Sequence, residues 1–223
     1  MASVLGIVTI GQAPRDDIAE LFAAQAPAGT KVILRGALDG LTDAEVDALP
    51  PLNGADTLYT RLRGGRDVKI SKQAVIDRSP AALAMLRADG CGAIVYACTG
   101  EFPPMQGDEN VLFPSRVLAG VAHGLLSRGR LGLLVPFAEQ GEKLAKKWAR
   151  PGLDVVVEAV VPSASRDEVA AVARRLGRHK PDLVALDCMS YTPATKDAVK
   201  AEVGVPTLLA ITATGRILRE ILD

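Results

Sequence analysis

The chain has 223 residues, 48% of them hydrophobic and 23% charged, enough for one large or two small globular domains. Its 26 acidic and 26 basic residues balance to zero net charge, which argues against a nucleic-acid-binding protein, because such domains carry a basic excess. No apolar stretch approaches the roughly 20 residues that span a bilayer, so we expect no membrane contact.

Cysteine usage bears on the compartment. Three cysteines are an odd number for a disulfide framework. The N-terminal residues run straight into a strand pattern with no basic segment before it, which is not typical of a secretion signal. With only two histidines and no Cys-x-x-Cys, a metal site is not expected. The sequence therefore predicts a cytoplasmic protein with free thiols.

Short apolar runs alternate with longer amphipathic segments along the chain. The predicted strands are Val4–Ile10, Lys31–Leu34, Gly92–Ala97, Leu131–Val135, Val155–Val161, Leu183–Leu186 and Thr207–Ala210. The predicted helices are Pro14–Gln25, Thr42–Ala48, Lys72–Ala88, Arg116–Ser127, Glu139–Ala149, Arg166–Arg178, Pro193–Glu202 and Thr212–Leu222. The strands are nearly continuous in aliphatic residues, which is typical of a parallel sheet covered by helices on both faces. The alternation predicts an α/β fold with right-handed crossovers.

One stretch departs from this alternation. Thr57–Arg63 and Arg66–Ile70 flank two glycines, which predicts a β-hairpin with a glycine turn. The first of these strands mixes Tyr, Thr and Arg, too polar a pattern for a buried sheet. We expect a flap over an active-site mouth, where Thr60 and Arg61 would close over the substrate; a surface strand pair is the alternative.

The chain also divides into two halves of similar design, residues 1–113 and 114–210. Each half opens on an apolar strand and carries a cysteine after a late strand, and residues 211–223 would pack back onto the first half. We therefore predict two pseudo-symmetric, flavodoxin-like parallel-sheet domains with the site in the cleft between them.

The two strand-end cysteines, Cys98 and Cys188, are the strongest candidates for chemistry. Ligands of parallel sheets bind beyond the carboxyl ends of the strands, and each cysteine loop leads toward a helix start that could hold an anion. The followers that could bind a substrate carboxylate are Thr99, Gly100, Ser190, Tyr191 and Thr192. A single cysteine is more often a small buried hydrophobe, the interpretation we give Cys91, but the shared position of the other two favours reactive thiols.

Loops after the opening strands supply further candidates. In the first, Gly11 permits close backbone approach, Gln12 is a polar contact, and Arg15 could hold a carboxylate with two parallel hydrogen bonds. The same loop is equally consistent with a capped, solvated helix start whose first turn holds Pro14. In the second half, Pro136 and Gln140 follow the opening strand and should face the same cleft.

Other titratable groups near the cysteines are weaker candidates. Asp187 and Glu101 could assist proton transfer, but Asp187 could instead be a buried, backbone-bonded carboxylate. His123 lies among apolar residues of a predicted helix, where a structural histidine is the commoner case, and His179 is expected in solvent. No glycine-rich phosphate motif follows the first strand, so nucleotide binding is poorly supported.

Four segments resemble the AroM family and, through it, the aspartate/glutamate/hydantoin racemase superfamily. They are Thr9–Asp17, Thr60–Arg63, Cys98–Pro103 and Leu186–Thr192. The resemblance implies two pseudo-symmetric α/β domains with the substrate between them and two cysteines working as acid and base. Gly11-Gln12 stands where amino-acid racemases of the superfamily carry an aspartate, so no residue for an α-ammonium group is evident.

These observations together predict a racemase or epimerase that needs no cofactor and moves a proton at the carbon next to a carboxylate. One thiolate would remove the proton, the other thiol would return one to the opposite face, and hydroxyls such as Thr99, Ser190, Tyr191 and Thr192 would stabilise the enediolate. The alternatives are a decarboxylase or cis–trans isomerase of a small dicarboxylate and a non-catalytic carboxylate-binding protein. Substrate identity and the role of each cysteine stay open, and a homodimer is the default oligomer.

Overall fold

The computed structural model describes residues 3–223; Met1 and Ala2, with which the predicted first half begins, lie outside the described residues. The chain forms two compact units, one running up to Pro114 and including Gly215–Asp223, the other spanning Ser115–Thr214. Each unit contains a four-stranded parallel sheet. The predicted α/β class with two parallel-sheet domains is confirmed.

The described residues of the first unit form six strands, three complete α-helices and the end of the last helix of the chain. Its strands are β1 (Val4–Thr9), β2 (Lys31–Gly36), β3 (Thr57–Arg61), β4 (Asp67–Ser71), β5 (Ala93–Tyr96) and β6 (Val111–Leu112). Its helices are α1 (Asp16–Ala23), α2 (Asp43–Asp47) and α3 (Lys72–Ala88). The parallel sheet has the order β2-β1-β5-β6, and the two-residue strand β6 was not predicted.

The second unit repeats the four-stranded parallel sheet of the first. Its strands are β7 (Gly129–Val135), β8 (Leu153–Ala159), β9 (Leu183–Leu186) and β10 (Thr207–Leu209). The helices of this part of the chain are α4 (Pro114–Leu125), α5 (Gly141–Trp148), α6 (Arg166–Arg178), α7 (Pro193–Val203) and α8 (Ala210–Leu222), the last of which continues into the first unit. The sheet order is β10-β9-β7-β8.

Both units share one strand order. When the strands of each parallel sheet are numbered in chain order, both sheets have the order second, first, third, fourth. The order of the second sheet is given above from the opposite edge. The first and third strands are neighbours at the centre, β1 beside β5 and β7 beside β9. In sheets of this kind the ligand crevice opens at the carboxyl ends of these two strands, and the residues after them are where a site is expected.

The predicted β-hairpin is present, but its expected character was wrong. Strands β3 and β4 pair antiparallel, with Thr57 opposite Ser71. Instead of forming an exposed flap, the first four residues of β3 are buried, because the strand packs against the loop after β1. A Cβ atom added to Gly11 would collide with the Thr60 hydroxyl and lie 2.7 Å from the Arg61 carbonyl oxygen. The hairpin is thus part of the first unit's core.

Helix bounds follow the local signals closely. Helices α3 and α6 begin and end at the predicted residues, and each starts after a serine whose hydroxyl accepts a backbone N–H of the first turn. Helix α1 begins at Asp16 rather than at Pro14, because Arg15 is non-helical and occupies the capping position. Within residues 3–223, every helix is too short or too polar to cross a membrane.

Candidate active site

Cys98 lies just beyond the carboxyl end of β5. Ala97 N–H donates to the Val8 carbonyl oxygen of β1 at 2.7 Å, the last step of the ladder before the cysteine. The Cys98 sulfur accepts the backbone N–H of Gly100 at 3.3 Å, and the residue is 9% exposed. The thiol therefore sits at the carboxyl edge of the central strands of the first sheet, folded back onto its own loop.

Cys188 has the same setting in the second unit. Asp187 N–H donates to the Leu134 carbonyl oxygen of β7 at 2.9 Å, and the Cys188 sulfur accepts the Ser190 N–H at 3.5 Å. Cys188 is 8% exposed. Val8 and Leu134 are each the penultimate residue of the central strand, so the two cysteines occupy equivalent places. An N–H aimed at sulfur stabilises a thiolate more than a thiol, because the anion is the stronger acceptor.

The two cysteine loops continue into different structures. The Cys188 loop runs into α7, as expected, and Thr192 forms the cap of that helix. After Cys98, by contrast, residues 99–110 contain no helix, so the helix start predicted there was wrong. Consecutive prolines, Pro103 and Pro104, lack the N–H groups that a helix interior would use, and the segment instead turns at Asp108 toward β6.

Gln12 is buried after β1, but its amide is used within the unit. It donates to the carbonyl oxygens of Leu38 and Leu41, at 3.4 Å and 2.8 Å, and its own oxygen accepts the Arg63 N–H at 3.4 Å. Gln12 therefore ties three loops together. Gly11 is also buried, against Thr60.

Arg15, predicted to hold a substrate carboxylate, and Arg61, predicted to close over the substrate, each bind a carboxylate of their own unit. Arg15, whose side chain is 4% exposed, binds Asp17 through two parallel hydrogen bonds of 2.8 Å, and Arg61 binds Asp67 at 2.7 Å and 3.1 Å. Burial acts to raise the pKa of Asp17, but the hydrogen bond and charge of Arg15 outweigh it, and the pKa lies below its usual value. A substrate carboxylate would have to compete with these pairs.

Thr60, in β3, has a buried hydroxyl group without a hydrogen-bond partner among residues 3–223. The residue is 2% exposed. An unpartnered buried hydroxyl costs about 1–3 kcal/mol, so such a group is a good candidate for a ligand contact. Thr99 is buried beside Cys98, whereas the space a side chain at Gly100 would need is occupied by Phe102, 3.1 Å away, and Leu58, 3.3 Å away.

In the second unit, two of the predicted hydroxyl donors have structural partners. The Tyr191 hydroxyl donates to the Val160 carbonyl oxygen at 2.6 Å, so its proton is not directed at a ligand. Thr192 is exposed, and its hydroxyl accepts the Thr195 N–H as the cap of α7. Ser190 is half-buried beside the cysteine. Pro136 is buried directly after β7, and Gln140 is half-buried in the 3-10 turn Ala138–Gln140 before α5.

The groups behind Cys98 are aromatic and neutral. The Ser79 hydroxyl donates to the Val75 carbonyl oxygen at 2.7 Å, which leaves the Tyr96 hydroxyl to donate to Ser79 at 2.6 Å. Burial raises the pKa of Tyr96 well above its usual value, Ser79 partly opposes the rise, and the charge of nearby Cys98 adds to it. The Tyr96 ring packs against Phe102 and Phe113. Tyr96 therefore stays protonated beside the first thiol.

The groups behind Cys188 are charged. Asp187 is bonded through its carboxylate to side chains of α5. That carboxylate is 1% exposed, accepts the Trp148 indole N–H at 3.0 Å, and lies 4.0 Å from the Lys147 ammonium group. Sequence reasoning missed Lys147 and Trp148. They end a lysine-rich helix whose pattern indicates a solvated face, and no signal in the sequence marks one lysine as buried.

The remaining candidates lie apart from this chemistry. Glu101 and His179 are exposed. His123 contacts the Trp148 carbonyl oxygen at 3.4 Å and accepts from Arg150 at 3.1 Å, a structural setting. Cys91 is half-buried at the start of β5, and burial raises the pKa of its thiol. Among residues 3–223, no three acidic, histidine or cysteine side chains are grouped to hold a metal ion.

Solved structures with the same fold include three kinds of enzyme. A glutamate racemase of Bacillus anthracis is 18% identical, with 99% of this chain and 81% of that chain covered and a TM-score of 0.63. A maleate isomerase of Pseudomonas putida is 11% identical, with 100% and 94% covered and a TM-score of 0.64. An arylmalonate decarboxylase is 15% identical, with 99% and 92% covered and a TM-score of 0.61.

At these identities the likeness shows that the chain shares its fold with these three enzymes. No curated protein sequence matches the chain. The sequence matches the family described as AroM protein over residues 5–222. Because that match covers nearly the whole sequence, the chain belongs to the AroM family.

Proposed function

We propose that this protein is a racemase or epimerase that moves a proton at the carbon next to a carboxylate, with Cys98 and Cys188 as the paired base and acid. The observation that carries the proposal is the equivalent setting of the two sulfurs. Each follows the third strand of its sheet and accepts the N–H of the residue two positions later. A structural cysteine has no need of this repeated geometry.

The proposed step conserves atoms and charge. The thiolate of one cysteine takes the α-proton, and the electron pair of the broken C–H bond moves into the carboxylate to form an enediolate. The thiol of the other cysteine then gives its proton to the opposite face of the carbon. The two cysteines end with exchanged protonation states, so the next substrate of the opposite hand restores them.

Stabilising the enediolate requires donors placed before the reaction begins. Support comes from the buried Thr60 hydroxyl, with no partner among residues 3–223, and from Thr99 and Ser190 beside the two sulfurs. Tyr191 and Thr192 act instead by positioning the loop and α7, because their hydroxyls have partners in the fold. Arg15 and Arg61 would contribute only if the substrate displaced Asp17 or Asp67.

The substrate class proposed is a small carboxylate. The names of the three similar enzymes, a glutamate racemase, a maleate isomerase and an arylmalonate decarboxylase, each refer to a carboxylate. The loop after β1 supplies no carboxylate for an α-ammonium group, since Gly11 and Gln12 stand there, which favours a substrate without one. We further propose that the enzyme works without a cofactor, in the cytoplasm, and as a homodimer.

Proton exchange in deuterated water tests the proposal. Glutamate, 2-phenylpropionate, phenylmalonate and maleate form the substrate panel, followed by proton NMR. We expect the α-proton of a panel member to be replaced by deuterium, and Cys98→Ser and Cys188→Ser each to slow that exchange by at least about 10²-fold. Cys91→Ser is the matched control and should keep full exchange. Undiminished exchange in both strand-end variants contradicts the assignment.

The alternatives give different products in the same experiment. Release of carbon dioxide from phenylmalonate would indicate a decarboxylase, and conversion of maleate to fumarate would indicate an isomerase, each with one essential cysteine. If no panel member reacts and iodoacetamide labels neither Cys98 nor Cys188 faster than a model thiol, the non-catalytic carboxylate-binding protein is favoured.

A further inference from the structure

The two cysteines differ in the residue that precedes them. Ala97 comes before Cys98, and Asp187 comes before Cys188. Both residues use their N–H in the same way, to extend the ladder to the central strand. The backbone is thus equivalent at the residue before each cysteine, and these two residues differ in their side chains.

The Asp187 carboxylate is held away from water against the end of α5. It is 1% exposed, accepts the Trp148 indole N–H at 3.0 Å, and lies 4.0 Å from the Lys147 ammonium group, whose side chain is 8% exposed. Charges removed from water interact over longer distances than exposed ones, because the surroundings screen them less. The buried Asp187 carboxylate is one residue from Cys188 along the chain, so its field and that of the paired ammonium group are weakly screened near that thiol.

Other charged or titratable groups on the packed elements are more exposed. They include the exposed Glu142–Lys146 pair of α5, the exposed Glu139 and Lys143, the Glu158–Arg175 pair of β8 and α6, and His123 with Arg150 beside the Trp148 ring. Within the Cys188 loop, the Tyr191 hydroxyl donates to a carbonyl oxygen. Near Cys98, the corresponding groups are the neutral Tyr96 and Ser79.

We infer that Lys147 and Asp187 are positioning residues for Cys188, a buried charge pair that sets the balance between its thiol and thiolate and makes the two cysteines electrostatically unequal. The role of this inequality in catalysis rests on the proposed function; the effect on the thiol does not. Loss of the Asp187 charge favours the thiolate, and loss of the Lys147 charge disfavours it. Each change therefore shifts the thiolate fraction of Cys188 relative to that of Cys98, the two in opposite directions.

The test is the rate of iodoacetamide alkylation of each cysteine against pH, followed by peptide mass spectrometry between about pH 7 and 10, where thiols titrate. We expect Asp187→Asn to speed alkylation of Cys188 at neutral pH by about three- to tenfold and Lys147→Met to slow it by a similar factor. The alkylation rate at high pH measures how accessible the sulfur is. The midpoint of the pH profile measures the equilibrium between thiol and thiolate. Cys98 in the same sample is the internal reference and should not change.

Matched variants separate charge from packing. Lys146→Met removes the exposed positive charge of the residue adjacent to Lys147 and should not change the pH midpoint of Cys188 alkylation. Trp148→Phe removes the indole N–H without changing any charge. Lys147→Arg keeps the positive charge and should show the same pH profile as the parent. The double variant Asp187→Asn with Lys147→Met, which keeps the site neutral and guards against misfolding of the single variants, should return close to the parent midpoint.

Either of two results would overturn the inference. The first is a Cys188 midpoint that moves in the same direction in Asp187→Asn and Lys147→Met, as looser packing around the cysteine would produce. The second is a change in which the midpoints of Cys98 and Cys188 move together. Failure of the proposed function is recognised separately. If no proton exchange is found but the Cys188 midpoints of Asp187→Asn and Lys147→Met move in opposite directions, the inference about the charge pair is supported and the proposed reaction is contradicted. If exchange depends on both cysteines but these midpoints do not move, the reaction is supported and the inference about the charge pair is contradicted.

Discussion

Arg15 shows how a side chain suited to a ligand can be committed within the fold. Its guanidinium binds Asp17, two residues later, through two parallel hydrogen bonds of 2.8 Å while its side chain is 4% exposed. A planar fork pairs as well with a carboxylate of the chain as with one of a substrate. The sequence contained both partners, and their pairing fixes the entry to α1 after Gly11.

Substituting Asp17 should change how stability depends on pH. The pKa of Asp17 is lowered in the folded protein, so its contribution is present above the ordinary value of 3.8 and is lost as pH falls through the lowered pKa. We expect Asp17→Asn to reduce the free energy of unfolding by about 1 kcal/mol near neutral pH, a modest amount because Asp17 is half-exposed. The difference should shrink as the pH falls below 3.8 and the parent carboxylate takes up its proton.

Urea unfolding at several pH values measures this difference. Asp16→Asn is the matched control, since Asp16 lies in the same first turn of α1, is exposed, and has the same favourable position near the helix N-terminus. Equal pH dependence in the two variants would show that the Arg15 pair does not stabilise the fold.

At the scale of elements, helix caps position the residues that follow the sheet. Helices α6 and α7 each begin with a capping box, Ser165 with Glu168 and Thr192 with Thr195. Thr192 ends the Cys188 loop, so its cap fixes where that loop joins α7. A residue predicted to bind substrate is therefore assigned a local structural role.

Removing either cap should cost a similar amount. We expect Thr192→Ala and Ser165→Ala each to lower the free energy of unfolding by about 1 kcal/mol, within a range of about 0.5–2 kcal/mol, and Thr192→Asp to keep most of the stability. Thermal and urea unfolding measure these changes. A Thr192→Ala variant that is as stable as the parent but loses proton exchange would show that Thr192 contacts the substrate after all.

Sequence patterns predicted elements well where the signal is local. The apolar runs of β1 and β9 and the serine caps of α3 and α6 act over a few residues, and the corresponding bounds were right or nearly so. The two-residue strand β6 is too short to give a periodic signal. The burial of β3 depends on contacts with the loop after β1, which lies far away along the chain, so its polar residues misled the prediction.

At the scale of the whole molecule, a shared strand order explains why two distant cysteines could be singled out. Both follow the third strand of a sheet whose first strand is its neighbour, and strand-end position is readable from sequence. The side chains that surround each sulfur could not be predicted from the sequence. The pairing of Asp187 with Lys147 and Trp148 joins residues of separate elements, and only the packed structure reveals it.

The last helix, α8, links the two units through its sequence. Its first residues belong to the second unit, and Gly215–Asp223 belongs to the first. At Gly215 an added Cβ atom would lie 2.7 Å from Cγ and 3.0 Å from Cβ of Gln25, whereas at Gly120 in α4 it would meet nothing within 4 Å. The same substitution at these two helical glycines therefore separates packing from helix propensity.

We expect Gly120→Ala to stabilise the protein by about 0.5–1 kcal/mol, because alanine is the better helix former. Gly215→Ala gains the same propensity but must displace Gln25, so it should be less stable than Gly120→Ala by about 1–3 kcal/mol. Urea unfolding followed by circular dichroism measures both. Adding Gln25→Ala to Gly215→Ala should recover most of the difference, because that change removes the Cγ atom and frees the space. Equal stability of the two glycine variants would mean that α8 does not pack closely on the segment after α1, and the close approach at Gly215 would have no role in joining the C-terminal residues to the first unit.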